Sequence, residues 1–252
     1  ASDVYKRQAL VRLDIREDRS ECLSGCRLHV QGLEPDPPHR RWTEIRGRIT
    51  DAALNSHLKD RVLAVFSALA EAEAHVHGCS AETVHFHEVG AVDALVDIVG
   101  VCAAVTHLSP EHLSCDPPPA GHGSVNTAHG VLPVPAPAVL ELARAHGVPL
   151  RQDPSLPQGE LTTPTGLALV AVLADGFSPP TLFQPAAIGI GLGHRQLDRP
   201  NLVRLCLSQN ETLSAAVAPR WQALVVQEAW IDDASAEDVA LLVDQLRSGG
   251  AV

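Results

Sequence analysis

Residues 85–100 read HFHEVGAVDALVDIVG and place five ionisable side chains where the hydrophobic pattern predicts that a buried segment begins. In an extended strand alternate side chains share a face, so His85 and His87 project together, with Cα atoms roughly 6.6–6.8 Å apart. Glu88 follows at once, in a turn that can bring its carboxylate to the same side. Two imidazoles and a carboxylate so placed are candidate ligands of a metal ion.

The second half of this stretch predicts a helix from Val92 to Leu108 that is apolar on most faces and therefore buried. Asp93 and Asp97 lie four residues apart and so share one face of that helix. Since uncompensated carboxylates are costly to bury, the two aspartates together with the histidines and glutamate before them predict a mixed nitrogen and oxygen metal site or an acid-base site. Helix stabilisation by Asp93 in the first turn is the alternative that needs no ligand.

Strands and helices alternate around this stretch, which predicts an α/β fold with a layered core over residues 9–210. Helices are expected at 56–77, 92–108, 137–147 and 164–176, with a short helix capped by Thr43, and strands at two places in 9–33 and at 84–89, 113–115 and 202–207. Gly189 to Gly193 is expected to form a glycine-rich turn. Residues 221–252 predict one strand and one helix, the start of a second α+β (ferredoxin-like) domain. The chain contains no methionine, and we expect a fragment truncated at both ends.

Composition narrows the function. The net charge is -11, and no Lys/Arg cluster exceeds Arg40-Arg41, which argues against a nucleic-acid or anionic membrane partner. No apolar run approaches the roughly 20 residues of a membrane span. The six cysteines are scattered and predict neither a disulfide framework nor a zinc site. We expect a cytoplasmic protein that binds small molecules, metal ions or protein, as a monomer or a homo-oligomer.

Two further segments carry candidate binding residues. In the stretch from Gly121 to Pro137, the glycines Gly121 and Gly123 let the backbone approach a ligand closely, and His122 and His129 are candidates for the metal site. A plain surface loop explains the same residues.

In GELTTPTG, residues 159–166, Thr163 is a natural helix N-cap and Pro164 suits the first helical position. Free N–H groups beside the hydroxyls of Thr162, Thr163 and Thr165 and the backbone of Gly166 predict a phosphate site, with ordinary helix capping as the alternative.

Standard motifs do not explain the chain. The zinc-protease pattern H-E-x-x-H fails because residue 91 is alanine. The chain contains no GxxxxGK[ST], and Gly189 to Gly193 lacks the glycine spacing of a dinucleotide fingerprint.

Three ordered stretches do resemble a known family, the nickel-insertion proteins of the nickel-pincer cofactor pathway: VHFHEVGAVDALVDIVG, GHGSVNTAHGVLPVPAPA and GELTTPTG. The resemblance covers roughly residues 39–247. It departs at the start, where the glycine-rich segment with an Asp-Cys-Phe-Ser-Gly type motif is lacking, and before Arg40, where a histidine-rich run is reduced to Pro37-Pro-His39. Only the beginning of the C-terminal domain, which the family associates with CTP and manganese, is present.

The resemblance implies a cyclometallase, a nickel chelatase of the lyase class, that completes the cofactor of lactate racemase. Its substrate would be pyridinium-3,5-bisthiocarboxylic acid mononucleotide, into which nickel is inserted with CTP consumed. From the residue types and this chemistry we expect that the histidines and carboxylates hold nickel, that Glu88 or His87 takes the ring proton, and that the phosphate lies by Thr163 and Thr165. Two other classes stay open: a nickel delivery or storage module without catalysis, and a metal-dependent hydrolase of a phosphorylated small molecule.

Overall fold

The computed structural model describes residues 11–20, 23–32, 40–86, 92–127, 130–180 and 183–208, together with residues 244, 245 and 248. Along the chain the elements are β1 (Val11–Ser20), β2 (Leu23–Gly32), β3 (Arg40–Arg41), α1 (Trp42–Asp51), α2 (Ser56–His77), β4 (His85–Phe86), α3 (Val92–Leu108), β5 (Ser124–Thr127), β6 (Gly130–Pro133), α4 (Pro137–His146), α5 (Pro164–Leu173), β7 (Pro185–Leu192) and β8 (Leu202–Ser208). These helices and a mixed sheet confirm the predicted α/β class.

Helix α2 is the centre of the helical body. It begins where the Asn55 side chain accepts a hydrogen bond from the Leu58 N–H at 2.7 Å, and it ends at Gly78, which adopts a left-handed φ of 63°. Its apolar side chains recur at three- and four-residue steps, and it packs against α1, α3, α4 and α5. Phe66 is fully buried between Trp42 and Phe86, with ring centroids 6.2 and 6.3 Å away.

Helix α3 buries one stripe rather than most of its surface, so the prediction of a buried helix was wrong. Ala94, Ile98 and Cys102, four residues apart, face the core, whereas Asp93 and Asp97 lie on the exposed side. Hydropathy alone does not specify what packs on a helix: α3 contacts α2, α5 and strand β2, and these contacts leave many of its side chains partly or largely exposed. The burial cost that made its carboxylates unusual is therefore smaller than the sequence suggests.

The main sheet has the strand order β1-β2-β7-β8. β1 and β2 form the predicted hairpin, β2 pairs in parallel with β7 through Cys26 and Gly191, and β7 pairs antiparallel with β8. The predicted glycine-rich turn was wrong, since Gly189 and Gly191 lie within strand β7. Sheet pairing uses backbone groups, so the two glycines do not interrupt the pairing of β7 with β8.

One face of this sheet is apolar and exposed. The register places Leu13 and Ile15 of β1 on the same face as Val203 and Leu205 of β8, and these side chains are 48–76% exposed. The opposite face carries His29 and other polar side chains. Among the described residues of this sheet only Leu192 is buried, and none belongs to the main hydrophobic cluster around α2.

Three smaller findings complete the fold. Arg41 is the N-cap of α1 and Thr43 lies inside the helix, so the predicted cap was wrong. Residues 113–115 form only an isolated bridge, Ser114 with Gly176, and no strand. No helix in the described ranges combines the length and hydropathy that a membrane crossing requires.

By its internal contacts the chain divides into units of residues 1–209 and 210–252. Nearly all of the second unit lies outside the described residues, so the predicted second domain stays a prediction.

Candidate functional site

A cleft of about 500 Å³ lies between strand β5, the loop that leads into α5 and the loop that follows β7. Its lining combines hydroxyl, amide, imidazole, carboxylate and guanidinium groups: Ser124, Val125, Asn126, Gly159, Glu160, Leu161, Thr163, His194, Arg195, Leu197 and Asn201. A polar cavity that joins three separate segments of the chain is the best candidate for a ligand site in the described part of the chain.

Helix α5 opens at the cleft. The Thr163 hydroxyl oxygen accepts a hydrogen bond from the Gly166 N–H at 3.1 Å, and Pro164 takes the first helical position, which confirms the predicted cap. The Thr162 hydroxyl instead donates to the Pro119 carbonyl at 2.7 Å and so ties the loop to the neighbouring segment. Of the residues predicted to bind phosphate, Thr163 lines the cleft, while the hydroxyl of Thr162 is engaged with the backbone.

The loop at 121–123 pairs with the loop at Gly159. The Gly159 N–H donates to the His122 carbonyl at 2.7 Å, and a Cβ on Gly121 would lie 2.5 Å from the Gly159 oxygen. His122 Nε2 lies 2.8 Å from the Leu156 carbonyl oxygen. Gly121, Gly123 and Gly159 all have positive φ angles, so these glycines permit the close packing of two loops beneath the cleft.

The loop after β7 presents His194 and Arg195. Arg27 of β2 donates a hydrogen bond to the Gly193 carbonyl. The Gly193 N–H donates to the Asn201 carbonyl at 2.9 Å, and the Asn201 amide donates to the Arg195 carbonyl at 3.0 Å. A Cβ on Gly193 would lie 2.5 Å from the Asn201 amide nitrogen, so a larger residue there would require the Asn201 side chain to move. The backbone that carries the two side chains is therefore held at both ends.

The Arg195 guanidinium is held by neutral acceptors. Its Nη1 donates to the Glu160 carbonyl at 2.8 Å and its Nη2 to the Gln158 carbonyl at 2.5 Å. A carbonyl dipole positions a cation without neutralising its charge, so the cleft receives a positive charge from Arg195.

His194, which lines the cleft, lies close to the two aspartates of α3. Partial burial raises the pKa of Asp97, the neighbouring Asp93 carboxylate raises that pKa further, and His194 lowers it. The His194 ring also packs edge-on against His29, with ring centroids 5.0 Å apart. Because His194 lines the cleft with Thr163, the aspartate pair and the start of α5 belong to one region of the molecule.

The predicted metal residues are only partly tested by this geometry. His85 is exposed on β4, and His87, Glu88 and His129 lie outside the described residues. Within the described ranges no group of three or more His, Cys, Asp or Glu side chains is arranged to hold a metal ion. The metal and proton-transfer roles of all these residues therefore stay predictions.

Sequence reasoning missed six of the polar side chains that line the cleft: Ser124, Asn126, Glu160, His194, Arg195 and Asn201. Ser124 and Asn126 lie on β5, in a stretch that was singled out for its glycines and histidines, and Glu160 lies in the stretch that was singled out for its threonines. The other three follow a glycine-rich run that fits no spacing rule, and their only signal in the sequence is a change from apolar to polar residues after Gly193.

Comparison with known proteins gives a consistent family. The sequence model of the nickel insertion protein family matches residues 3–252. A protein of Roseiflexus castenholzii named "Putative nickel insertion protein" is 42% identical over 254 residues, which cover 98% of this chain and 62% of the relative. Proteins of the same name from Citrifermentans bemidjiense and Thermomicrobium roseum are 41% and 44% identical and cover 95% and 91% of this chain, and 60% and 55% of their own lengths.

The chain thus spans about three fifths of the length of these curated relatives. No solved structure matches it significantly.

Proposed function

Because the chain belongs to the nickel insertion protein family, we propose that it takes part in inserting nickel into pyridinium-3,5-bisthiocarboxylic acid mononucleotide, the step that completes the nickel-pincer cofactor of lactate racemase. The family match over residues 3–252 carries this proposal. Nickel and the mononucleotide are both substrates, and the enzyme is a cyclometallase of the lyase class.

The cleft supports the proposal because chemically different groups meet at it. The Thr163 hydroxyl and the start of α5, with Thr165 one residue into the helix, are suited to the substrate phosphate. His194 also lines the cleft and lies close enough to Asp97 to lower the pKa of that carboxyl, and Asp93 is one helical turn away. Carboxylate and imidazole are suitable ligands for Ni²⁺ before it is transferred.

The reaction balances as a substitution at the pyridinium ring. Ni²⁺ forms two bonds to the thiocarboxylate sulfurs and one bond to a ring carbon, and that carbon loses its proton. Sulfur donors are softer than carboxylate or imidazole and can take the ion from them. A base must accept the proton, and Glu88 or His87 is proposed for that role, with His85, His122 and His129 as further nickel ligands.

CTP and manganese belong to the proposal only for full-length proteins. The resemblance associates them with the C-terminal domain, and the start of that domain, Ile231 to Asp233 with Glu237, lies outside the described residues. No step of the chemistry proposed here is assigned to either group.

The test combines the chain, Ni²⁺ and the mononucleotide, with and without CTP and Mn²⁺, and follows the nickel–carbon product by mass spectrometry. We expect product with the wild-type chain and a loss of about 10-fold or more in Asp97→Asn, because an acid ligand is replaced by a weaker amide. Asp60→Asn, which changes an exposed aspartate on α2, is the matched control and should work at the wild-type rate.

Two results would contradict the proposal. Stoichiometric release of nickel without a nickel–carbon product, at the same level with and without nucleotide, would favour a nickel delivery or storage module. Hydrolysis of a phosphorylated small molecule without nickel transfer would favour the metal-dependent hydrolase.

A further inference from the structure

We propose that Arg195 recognises the phosphate of the substrate and makes this protein specific for a phosphorylated mononucleotide over the corresponding nucleoside. The inference rests on the proposed function, since it names the group that selects the substrate of the same site. It concerns binding specificity, so its test does not require that nickel be inserted.

The first support is the hydrogen-bonding capacity of Arg195. A guanidinium has five N–H donors, of which the carbonyls of Gln158 and Glu160 take two. The remaining donors belong to a planar group whose orientation is fixed by those two bonds, and Arg195 lines the cleft. Planar, charged donors match phosphate oxygens better than a point charge does, which is why arginine is common in such sites.

The second support is the absence of a side chain at Gly159. Gly159 is buried with φ of +99°, and a Cβ on it would lie 2.6 Å from Arg195 Nη2, 2.9 Å from Nη1 and 3.1 Å from Cζ. The two nitrogen distances are shorter than real Cβ contacts, so a side chain at residue 159 would require the guanidinium to move, and the positive φ itself favours glycine. The loop at Gly159 and the Arg195 guanidinium are therefore closely packed.

The third support is the position of this charge relative to α5. Arg195 shares the cleft with Thr163, whose hydroxyl proton stays available because the oxygen is the acceptor in the cap. Asn126 and Ser124 add neutral polar groups to the lining. A phosphate in the cleft would therefore meet a cation, a hydroxyl and amide donors from three segments of the chain.

Glu160 also lines the cleft and sets a condition on the proposal. Its carboxylate repels a bound anion, so the affinity for phosphate reflects the attraction of Arg195 reduced by this repulsion. Glu160→Gln should therefore bind inorganic phosphate more tightly than the wild type, whereas a cleft that takes a cation would lose affinity for its ligand in the same variant.

The experiment measures binding of the mononucleotide and of its dephosphorylated nucleoside to the chain by calorimetry, without nickel, and competition by inorganic phosphate. The wild type should prefer the mononucleotide by about 10- to 100-fold, the range expected for hydrogen bonds to a charged group. Arg195→Gln should lose most of this preference and its sensitivity to phosphate. Arg195→Lys should keep part of both, because it retains the charge without the planar donors.

Two further variants complete the design. Gly159→Ala should lower phosphate affinity with Arg195 still present, because the new methyl group displaces the guanidinium. Arg144→Gln is the control, since Arg144 is exposed on α4 and pairs with Glu141 at 2.6 Å, and it should bind like the wild type.

Equal wild-type affinity for the mononucleotide and the nucleoside, or an unchanged preference in Arg195→Gln, would overturn the inference even if nickel insertion is observed. Conversely, a phosphate preference that depends on Arg195, in a chain that inserts no nickel, would uphold the inference and count against the proposed function alone.

Discussion

Replacing Thr163 with alanine separates the structural role of a helix cap from a role in binding phosphate. Thr163 Oγ1 accepts the Gly166 N–H at 3.1 Å, and loss of such a cap costs about 1 kcal/mol. For a folded unit of this size we expect the melting temperature to fall by about 2–4 °C. If the hydroxyl also donates to a bound phosphate, losing it removes a further ~1.5–3 kcal/mol of binding free energy, which is about 10- to 150-fold in affinity.

Asn55 supplies the matched control because it caps α2 in the same way, through the Leu58 N–H at 2.7 Å, and does not line the cleft. Asn55→Ala should lose similar stability and keep wild-type affinity for the mononucleotide, and Thr163→Ser should keep both. Calorimetric melting and mononucleotide titration give the two quantities. If Thr163→Ala and Asn55→Ala bind the mononucleotide equally well, the reasoning that places phosphate at the start of α5 is refuted.

Four other perturbations test the fold and the neighbouring groups. Phe66→Ala should destabilise the chain by about 3–5 kcal/mol in urea unfolding, since a fully buried ring is removed; a loss below ~1 kcal/mol would contradict the packing described. Asp97→Asn should raise the melting temperature at pH 7, because the folded state raises the pKa of this carboxyl and so disfavours its charged form. The gain in melting temperature should shrink as the pH falls through that raised pKa and vanish below the ordinary value of 3.8. A gain that grows in acid would contradict this reasoning. His85→Ala should leave stability within about 0.5 kcal/mol, because the side chain is exposed, and should reduce nickel bound in equilibrium dialysis; unchanged nickel would remove His85 from the proposed ligands. Burial raises the pKa of the Cys102 thiol to about 11, so at pH 8 a thiol reagent should label exposed Cys26 in the folded chain and Cys102 only after unfolding, and rapid labelling of Cys102 without unfolding would disagree.

Local signals predicted the helices well. The bounds of α2 follow from Asn55, Gly78 and the apolar spacing between them, all of which lie within or beside the helix. The cap at Thr163 is local in the same sense. By contrast, the same apolar composition overpredicted the burial of α3, because burial depends on neighbours that the local sequence does not specify.

The cleft was only half predictable for a similar reason. His194 and Arg195 reach it because Arg27 of β2 holds the loop after β7, and that contact depends on pairing between strands more than 160 residues apart. No spacing rule in the sequence links these segments. The start of α5 could be recognised from Thr163 and Pro164, whereas the Arg195 guanidinium in the same cleft could not.

The segments that carry Thr163 and Arg195 differ in how firmly they are anchored to the hydrophobic core. Thr163 caps a helix whose side chains Leu167 and Ala168 are fully buried in the core. Arg195 instead follows a sheet that leaves aliphatic side chains in water and in which, among the described residues, only Leu192 is buried. Each Å² of apolar surface left wet forgoes about 25 cal/mol of stabilisation. Warming should accordingly loosen the loop that carries Arg195 before the start of α5. The affinity for an anionic group should then weaken at temperatures where amide exchange in α2 is still slow.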